Sequence, residues 1–347
     1  MRKVLNRWIA GGILALLIAV PAARADPAGT RALIAELRAS TEISVEVARL
    51  SWQLDRANAW FDDLGGELAT ADEIAGNARA VRAHLQPRLE ALRELVRSHR
   101  PQAASQPPLY ADPPRWTGYL RGGLADVERQ VADLDALILA VGRMDIEEVF
   151  VIRLQSREAL LAQFERGLRA MQALQNAFPA DHPDHLLIQS ELELWGATRA
   201  AYEMQVGESG NYEDLLRDYP GDLRRGVLRS EAALAAAEAA LPDFRSDLAD
   251  RLADVWRDDQ NPGEGTARVD SAIEIYGAAL ANRRKLHGLL EEEAALYEIF
   301  AATGWTGELE YAFNRFYDRL EDVSVEGVTL ANRLYTTIDP AAGEGAE

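Results

Sequence analysis

The chain of 347 residues carries 56 acidic against 37 basic side chains, a net charge of −19, and no cysteine. The missing thiols exclude disulfides, thiolate metal sites and cysteine nucleophiles. A field of that sign opposes nucleic acid and anionic lipid, and suits a solvated surface or a basic partner.

The chain opens with Arg2, Lys3 and Arg7, an unbroken apolar run from Trp8 to Val20, and Ala23-Arg24-Ala25. Basic start, short apolar core and small-x-small end are the three regions of a secretory signal peptide. The run is short for a membrane-spanning helix, so cleavage is expected in preference to an uncleaved anchor. Residues 1–25 are therefore read as a leader and Asp26 as the mature amino terminus, in a bacterial periplasm. Removing the four basic residues of the leader leaves 33 basic against 56 acidic side chains, a net charge of −23.

From Asp26 on, helical periodicity dominates. Ile43, Val47, Leu50, Leu54, Ala57, Phe61 and Leu64 step by four and three up to Gly65-Gly66, the spacing of one helix face with a glycine stop. Thr70-Ala71-Asp72-Glu73 has the form of a capping box. From it run Ile74, Ala78, Val81, Leu85, Leu92 and Leu95, with Pro87 inside as an expected kink. Residues 26–100 thus read as a long helical hairpin. Residues 101–116, with Pro101, Pro107-Pro108 and Pro113-Pro114, read as an extended linker.

The periodicity resumes in Leu120, Leu124, Val127, Val131, Leu134, Ile138 and Val141, is interrupted at Gly142, and continues in Leu161, Phe164, Leu168, Met171 and Phe178 up to a stop at Pro179. Val149 to Leu154 is β-branched enough for a strand, but one short strand has nothing to pair with. A further helix, about 184–206, shows Ile188, Leu192, Trp195 and Tyr202 on one side. Residues 117–207 are expected to form a central bundle. Residues 208–265, punctuated by Gly, Pro and Asn, are expected to hold short irregular helices.

The strongest pattern comes last. Val269, Ile273, Tyr276, Leu280, Arg283, His287, Leu290, Ala294, Tyr297 and Ala301 keep one register, broken at Gly304. Leu309, Phe313, Phe316, Leu320, Val323, Gly327, Leu330 and Leu334 then keep another. Residues 266–338 read as a second long hairpin whose two stripes face each other, and 339–347 as a disordered tail. A spacing near 3.5 over many turns predicts an all-α protein of long antiparallel helical hairpins with coiled-coil-like packing. The glycines and short turns favour seams closed within one chain over an intermolecular coiled coil.

Candidate chemistry is sparse. There is no glycine-rich phosphate loop, no zinc-binding His-Glu-x-x-His helix, no Gly-x-Ser-x-Gly elbow and no Ser-x-x-Lys dyad. No cofactor is expected. His182, Asp184 and His185 form the one cluster with metal-ligand chemistry. Pro183 separates the two imidazoles, so a polar helix start, capped by Asp184 with His185 exposed, is the preferred reading. His287 sits on the last seam, where a polar residue sets register through a hydrogen-bond partner or senses protons. Asp258 to Gly263 fits a calcium loop in neither register and reads as a helix connection. Gly207-Glu208-Ser209-Gly210 resembles the Glu-Ser pair of lytic transglycosylases over four residues, which would imply Glu208 as a general acid and base. The family's downstream Gly-Leu-Met-Gln type segment is absent.

Trp52 and Trp60 lie outside the first seam. They are expected to cover a second packing face or, if exposed, to mark a partner site. These features point to an exported non-enzymatic helical scaffold, adaptor or accessory subunit that binds another envelope protein, with self-association as a second mode of binding. The alternative is a periplasmic binder of a small molecule or metal, with a peptidoglycan-cleaving enzyme a distant third. A binder needs a closed pocket with convergent polar groups, a scaffold an exposed apolar patch.

Overall fold

The computed structural model describes residues 27–59, 61, 70–99, 113–176, 178, 180–206, 212–253 and 262–338. The leader with Asp26, Trp60, Gly65-Gly66, the linker up to residue 112, the Glu208 tetrad, Asp258 to Asn261 and the tail from residue 339 lie outside them. The fold is all-α. Eight helices account for the described elements: α1 Pro27–Ala59, α2 Ala71–Ser98, α3 Pro113–Gly142, α4 Ile146–Gln175, α5 Pro183–Val206, α6 Tyr212–Ala253, α7 Pro262–Thr303 and α8 Gly307–Ile338.

Local chemistry accounts for several helix ends. At α2 the Thr70 hydroxyl accepts from the Glu73 N–H, and the Glu73 carboxylate accepts from the Thr70 N–H at 2.8 Å. The Thr70 N–H, and after it the Thr70 hydroxyl donating at 2.9 Å, hold the exposed Glu73 carboxyl below its ordinary pKa. After α7, Gly304 takes φ +73° and its N–H returns to the Phe300 carbonyl at 2.9 Å, the left-handed cap that glycine adopts without Cβ strain. Thr306 then accepts from the Leu309 N–H and starts α8. Pro113-Pro114 opens α3 instead of closing the linker. In a first turn a missing N–H costs nothing, because it would have had no partner within the helix.

Residues 212–253, within the stretch 208–265 expected to hold short irregular helices, depart from that reading. α6 is one helix of 42 residues, with Pro220 and Pro242 inside it. Each proline forfeits one backbone hydrogen bond, a cost of about 3 kcal/mol in an isolated helix. Burial of Leu223, Val227, Leu234, Phe244 and Leu248 along the length of α6 offsets it, as does the alanine run of high helix propensity between the two prolines.

Cross-helix pairs fix the directions. Arg82–Asp135 and Arg93–Glu128 join α2 to α3, Asp133–Ser156 and Asp126–Arg166 join α3 to α4, and Arg224–Glu298 and Arg245–Asp270 join α6 to α7. Lys285–Glu326 and Glu292–Arg319 join α7 to α8. Each set runs in opposite order along its two helices, so these neighbours are antiparallel. The α6–α7 and α7–α8 pairs are exposed and worth little individually; they report register more than they create stability.

Two assemblies share α1. Ile43, Val47, Leu50, Leu54 and Ala57 pack with α2, α3 and the start of α4. Ile34 enters a second core with α5, α6, α7 and α8, and Val45 and Ala48 meet Val328 of α8. Half-buried Trp52 packs against a third cluster built from α4 to α8. The expected central bundle of residues 117–207 is therefore not a unit. The apolar stripe of α3 completes the α1–α2 hairpin, α4 bridges both assemblies, and α5 belongs with α6 to α8. The α4–α5 contact is close: Phe164 stacks on Trp195 at 4.9 Å, and a Cβ on Gly167 would sit 2.9 Å from the indole.

The stripes of α7 and α8 close on each other inside the chain. Phe313, Phe316 and Leu320 are buried with Leu290, Ala294 and Tyr297. Phe316 is fully enclosed, so Phe316→Ala is expected to cost about 3–5 kcal/mol. A thermal or denaturant melt checks this, and unchanged stability would contradict an internal seam.

Candidate functional site

α7 lies between α6 and α8 and is buried on most sides, and its core-facing positions are not all apolar. Arg283, His287 and Glu293 are each at most 4% exposed, and Asn282 is also buried. Their partners come from facing helices. Arg283 is ion-paired with the fully buried Glu191 of α5, and the hydroxyl of Tyr276 donates to Asp184 of α5 at 3.2 Å. The two α5–α7 links are seven residues apart on both helices, so α5 and α7 run parallel with their buried polar groups in step. From α6, the Ser230 hydroxyl lies 2.6 Å from His287 Nε2, and the Tyr219 hydroxyl lies 3.4 Å from Glu293 Oε1. Asn282 donates to the Val323 carbonyl of α8 at 3.0 Å.

Burial shapes the ionisation of this seam. It pushes the Asp184 carboxyl well above the ordinary aspartate range, against a smaller opposing pull from the Tyr276 hydrogen bond. Burial first, and then the Asp184 charge, raise the Tyr276 phenol, which remains a donor. Desolvation lowers the Arg283 guanidinium to about 9, still charged at neutral pH. Burial, with Arg283 and Arg284 nearby, pulls His287 down to about 4. His287 is therefore neutral near pH 7, a buried hydrogen-bonding residue outside the range needed for proton sensing near neutrality.

Of the metal-ligand candidates, His182 Nδ1 lies 3.6 Å from Asp184 Oδ2, while His185 is turned toward the end of α4. Nδ1 of His182 accepts from the Asp184 N–H at 3.1 Å, so His182 caps α5 and Asp184 does not. The His182 ring stacks on Phe178 and meets Phe244 edge-on. His185 is half-buried instead of exposed, with Nδ1 against the Gln175 and Phe178 carbonyls at 3.0 and 3.3 Å. Among the described residues no three His, Asp or Glu side chains group as a metal set. The polar seam reaches facing helices through most of its members, while Asp184 Oδ2, Asn282 Oδ1 and His287 Nδ1 are buried without a hydrogen bond among the described residues.

A different surface faces outward. α5 runs opposite to α4, since Gln175 meets His185 and Phe164 meets Trp195, and α5 runs parallel to α7. The α3–α4 turn and the α7–α8 turn therefore lie at the same end of the molecule. Ten large apolar side chains are exposed among the described residues, and eight cluster at or beside these two turns: Leu139, Met144, Ile146, Phe150, Val151, Ile299, Trp305 and Tyr311. Ile146 and Phe150, 55% and 63% exposed, are four residues apart on one face of α4. Met144, 67% exposed, adopts φ +57°. For a side chain other than glycine that conformation costs about 1–2 kcal/mol, and here it closes α3: the Met144 and Asp145 N–H groups return to the Val141 and Ala140 carbonyls, each at 2.9 Å.

Of the two tryptophans expected to cover a second face or mark a partner site, Trp52 serves internal packing and Trp60 lies outside the described residues. Trp305, at the α7–α8 turn, is 44% exposed over Phe300 and Phe313. The exposed group at the α3–α4 turn was not read from sequence, although the run Val149-Phe150-Val151-Ile152 carried the signal: more apolar positions than one helix face can bury. Glu191 was also legible, since it falls between Ile188, Leu192 and Trp195 on the face expected to be buried. No helix among the described residues is long and apolar enough to cross a membrane. No family model, curated protein or solved structure matches the chain.

The seam generates two expectations. Between pH 6.5 and about 4 the unfolded chain takes up a proton at His287 that the folded chain refuses. This contribution to stability is complete above pH 6.5 and is lost as pH falls to 4, by up to about 3 kcal/mol. Asp184, shifted upward, acts in the opposite sense, losing stability as pH rises through its raised pKa. The His287 term is therefore read as the difference between wild type and His287→Leu in denaturant titrations across that window. A difference that does not vary with pH would exclude a neutral buried His287. Arg283→Met alone is expected to cost about 3–5 kcal/mol by stranding Glu191, and Arg283→Met with Glu191→Leu to recover most of it. Equal losses in the single and double variants would show that the pair is not coupled.

Proposed function

We propose that the chain is an exported, non-enzymatic scaffold or adaptor of a bacterial envelope assembly, and that it docks a partner through the end of the bundle that carries the α3–α4 and α7–α8 turns. The observation that carries this reading is the concentration of exposed apolar side chains at that end. Single exposed apolar residues are ordinary on any surface, but a grouped set marks an interaction surface. Aromatic and Met side chains supply much of the energy at such surfaces, and Met144, Phe150, Trp305 and Tyr311 are of that kind. The interior supports the same reading from the other side. Its ionisable groups hold helices together in pairs, and the Ser230 hydroxyl against His287 Nε2 is enclosed in that packing, both residues at most 2% exposed.

A second reading, a binder of a small polar ligand, draws on the convergence of Asp184, Glu191, Arg283 and His287 from two helices. It requires the bundle to open, since these groups already partner each other or neighbouring helices. A ligand that raised the melting temperature of wild type and not of Arg283→Met with Glu191→Leu would favour it over docking.

Docking is tested by placing a photo-crosslinking residue at 146, 150 or 305 in cells and identifying the captured protein. A discrete adduct from these positions, absent from the exposed position 274 of α7, is expected. The purified partner is then expected to bind Ile146→Ser with Phe150→Ser at least tenfold more weakly than wild type. Adducts independent of position would sink the reading. Met144→Gly removes left-handed strain together with an apolar contact, so it is expected to melt no lower than wild type while capturing less partner. Export is checked separately: terminal sequencing of periplasmic protein is expected to begin at Asp26, and an intact Met1 on membrane-bound material would overturn cleavage.

A further inference from the structure

We infer that the α3–α4 turn takes a cationic amphipathic helix of its partner, an assignment that rests on the docking surface proposed above. Ile146 and Phe150 present two apolar anchors one helical turn apart, with Met144 beside them. Anchors at that spacing match the i, i+4 repeat of an incoming amphipathic helix. The charges around them are unequal. Residues 143–148 hold three carboxylates, Asp145, Glu147 and Glu148, against one cation, Arg143. Arg143 is paired with Glu148, and Asp145 Oδ1 accepts from the Glu148 N–H. Exposed Glu147 has no cation partner among the described residues.

Acidic residues in the first turn of α4 also complement the helix dipole, which accounts for their place in the sequence. It leaves their outward charge available to a cation. Other occupants fit less well. A second copy would bring the same acidic rim against itself, in a chain of net charge −19, and an anionic lipid surface is repelled by the same field. A partner helix with Lys or Arg beside its apolar stripe satisfies both features of the turn. Its basic residues would govern association rate and salt dependence, and its apolar stripe would govern residence.

The test uses the full mature chain and three fluorescent helix-forming peptides: Lys/Leu amphipathic, Glu/Leu with the same apolar face, and Lys/Ser without one. The Lys/Leu peptide is expected to bind at least tenfold more tightly than either of the others. Glu147→Lys is expected to weaken it about tenfold, as is Ile146→Ser with Phe150→Ser, whereas Glu274→Lys on α7 changes it less than twofold. Melting curves establish that each variant is folded. If the apolar pair fails to fold, Glu147→Lys and the peptide series decide alone. Equal binding of Lys/Leu and Glu/Leu peptides, lost in Ile146→Ser with Phe150→Ser, would overturn the cationic partner and leave the docking surface standing. Glu274→Lys weakening the Lys/Leu peptide as much as Glu147→Lys would reduce the attraction to a diffuse effect of net charge and overturn the assignment. A dimer in sedimentation that Phe150→Ser abolishes would replace the partner helix by a second copy.

Discussion

Burying Arg283 and Glu191 in the same core is the constraint on which the arrangement of α5 to α8 turns. An unpaired charge in that environment costs several kcal/mol, whereas the paired charges roughly break even against apolar side chains of similar size. The pair therefore adds little stability and penalises every register in which the two residues fail to meet. Sliding α5 by one turn along α7 would strand Glu191 and Arg283 together with Asp184 and Tyr276 two turns away. The neighbouring helices add penalties of the same kind through Ser230 with His287 and Asn282 with the Val323 carbonyl. Long, nearly featureless helices such as α6, with its run of alanines, need this kind of instruction, because small apolar side chains pack almost equally well at adjacent offsets.

That logic also explains which parts of the fold were readable from the chain. Helix starts and stops depend on neighbours in sequence, so the Thr70–Glu73 capping box and the Gly304 stop were visible, as were the two stripes that meet around Phe316. α6 was misread because Pro220 and Pro242 are local helix-breaking signals, while the packing that overrides them comes from α5 and α7. The division of residues 117–207 between two assemblies was hidden for the same reason: a stripe shows that a face is buried, and not against which helix. Of the polar seam, Arg283 and His287 stood out as polar members of an apolar register. Which residues they pair with did not, since the links run over 92 residues to Glu191 of α5 and 57 to Ser230 of α6. Asp184 was read as a cap because the residue type suits one, yet His182 takes that role and Asp184 turns inward.

The outward surface was obscured by a different physical fact. Periodicity identifies positions that are apolar in excess of chance, and it assigns them to the core by default. At Val149-Phe150-Val151-Ile152 four apolar residues in a row cover more than half the circumference of a helix. Val149 and Ile152 find the α1–α3 core, while Phe150 and Val151 are left in solvent. Such a surplus was legible as an inconsistency with either regular pattern, but which half of it would be buried depended on where α1 and α3 lay.

Closed interior and open end then bear on each other. Polar pairing inside α5 to α8 holds α7 in one register relative to α5 and α6, which fixes the height at which the Gly304 turn presents Trp305 and Tyr311. The α3–α4 turn is set by an independent seam, through Val141 and Val149 on the α1–α3 core. α4, packed into both assemblies, carries the only short connection between them among the described residues, from Gln175 to Pro183. A slip at either core would displace one set of exposed apolar residues relative to the other. An adaptor that binds with preformed side chains avoids the ordering cost that a flexible surface incurs. The left-handed Met144 is held by the cap of α3, through the Met144 and Asp145 N–H bonds to the Val141 and Ala140 carbonyls. Specific buried charges and exposed apolar side chains, each unfavourable in isolation, are thus consistent with one design: a rigid body with one end left to be covered by something else.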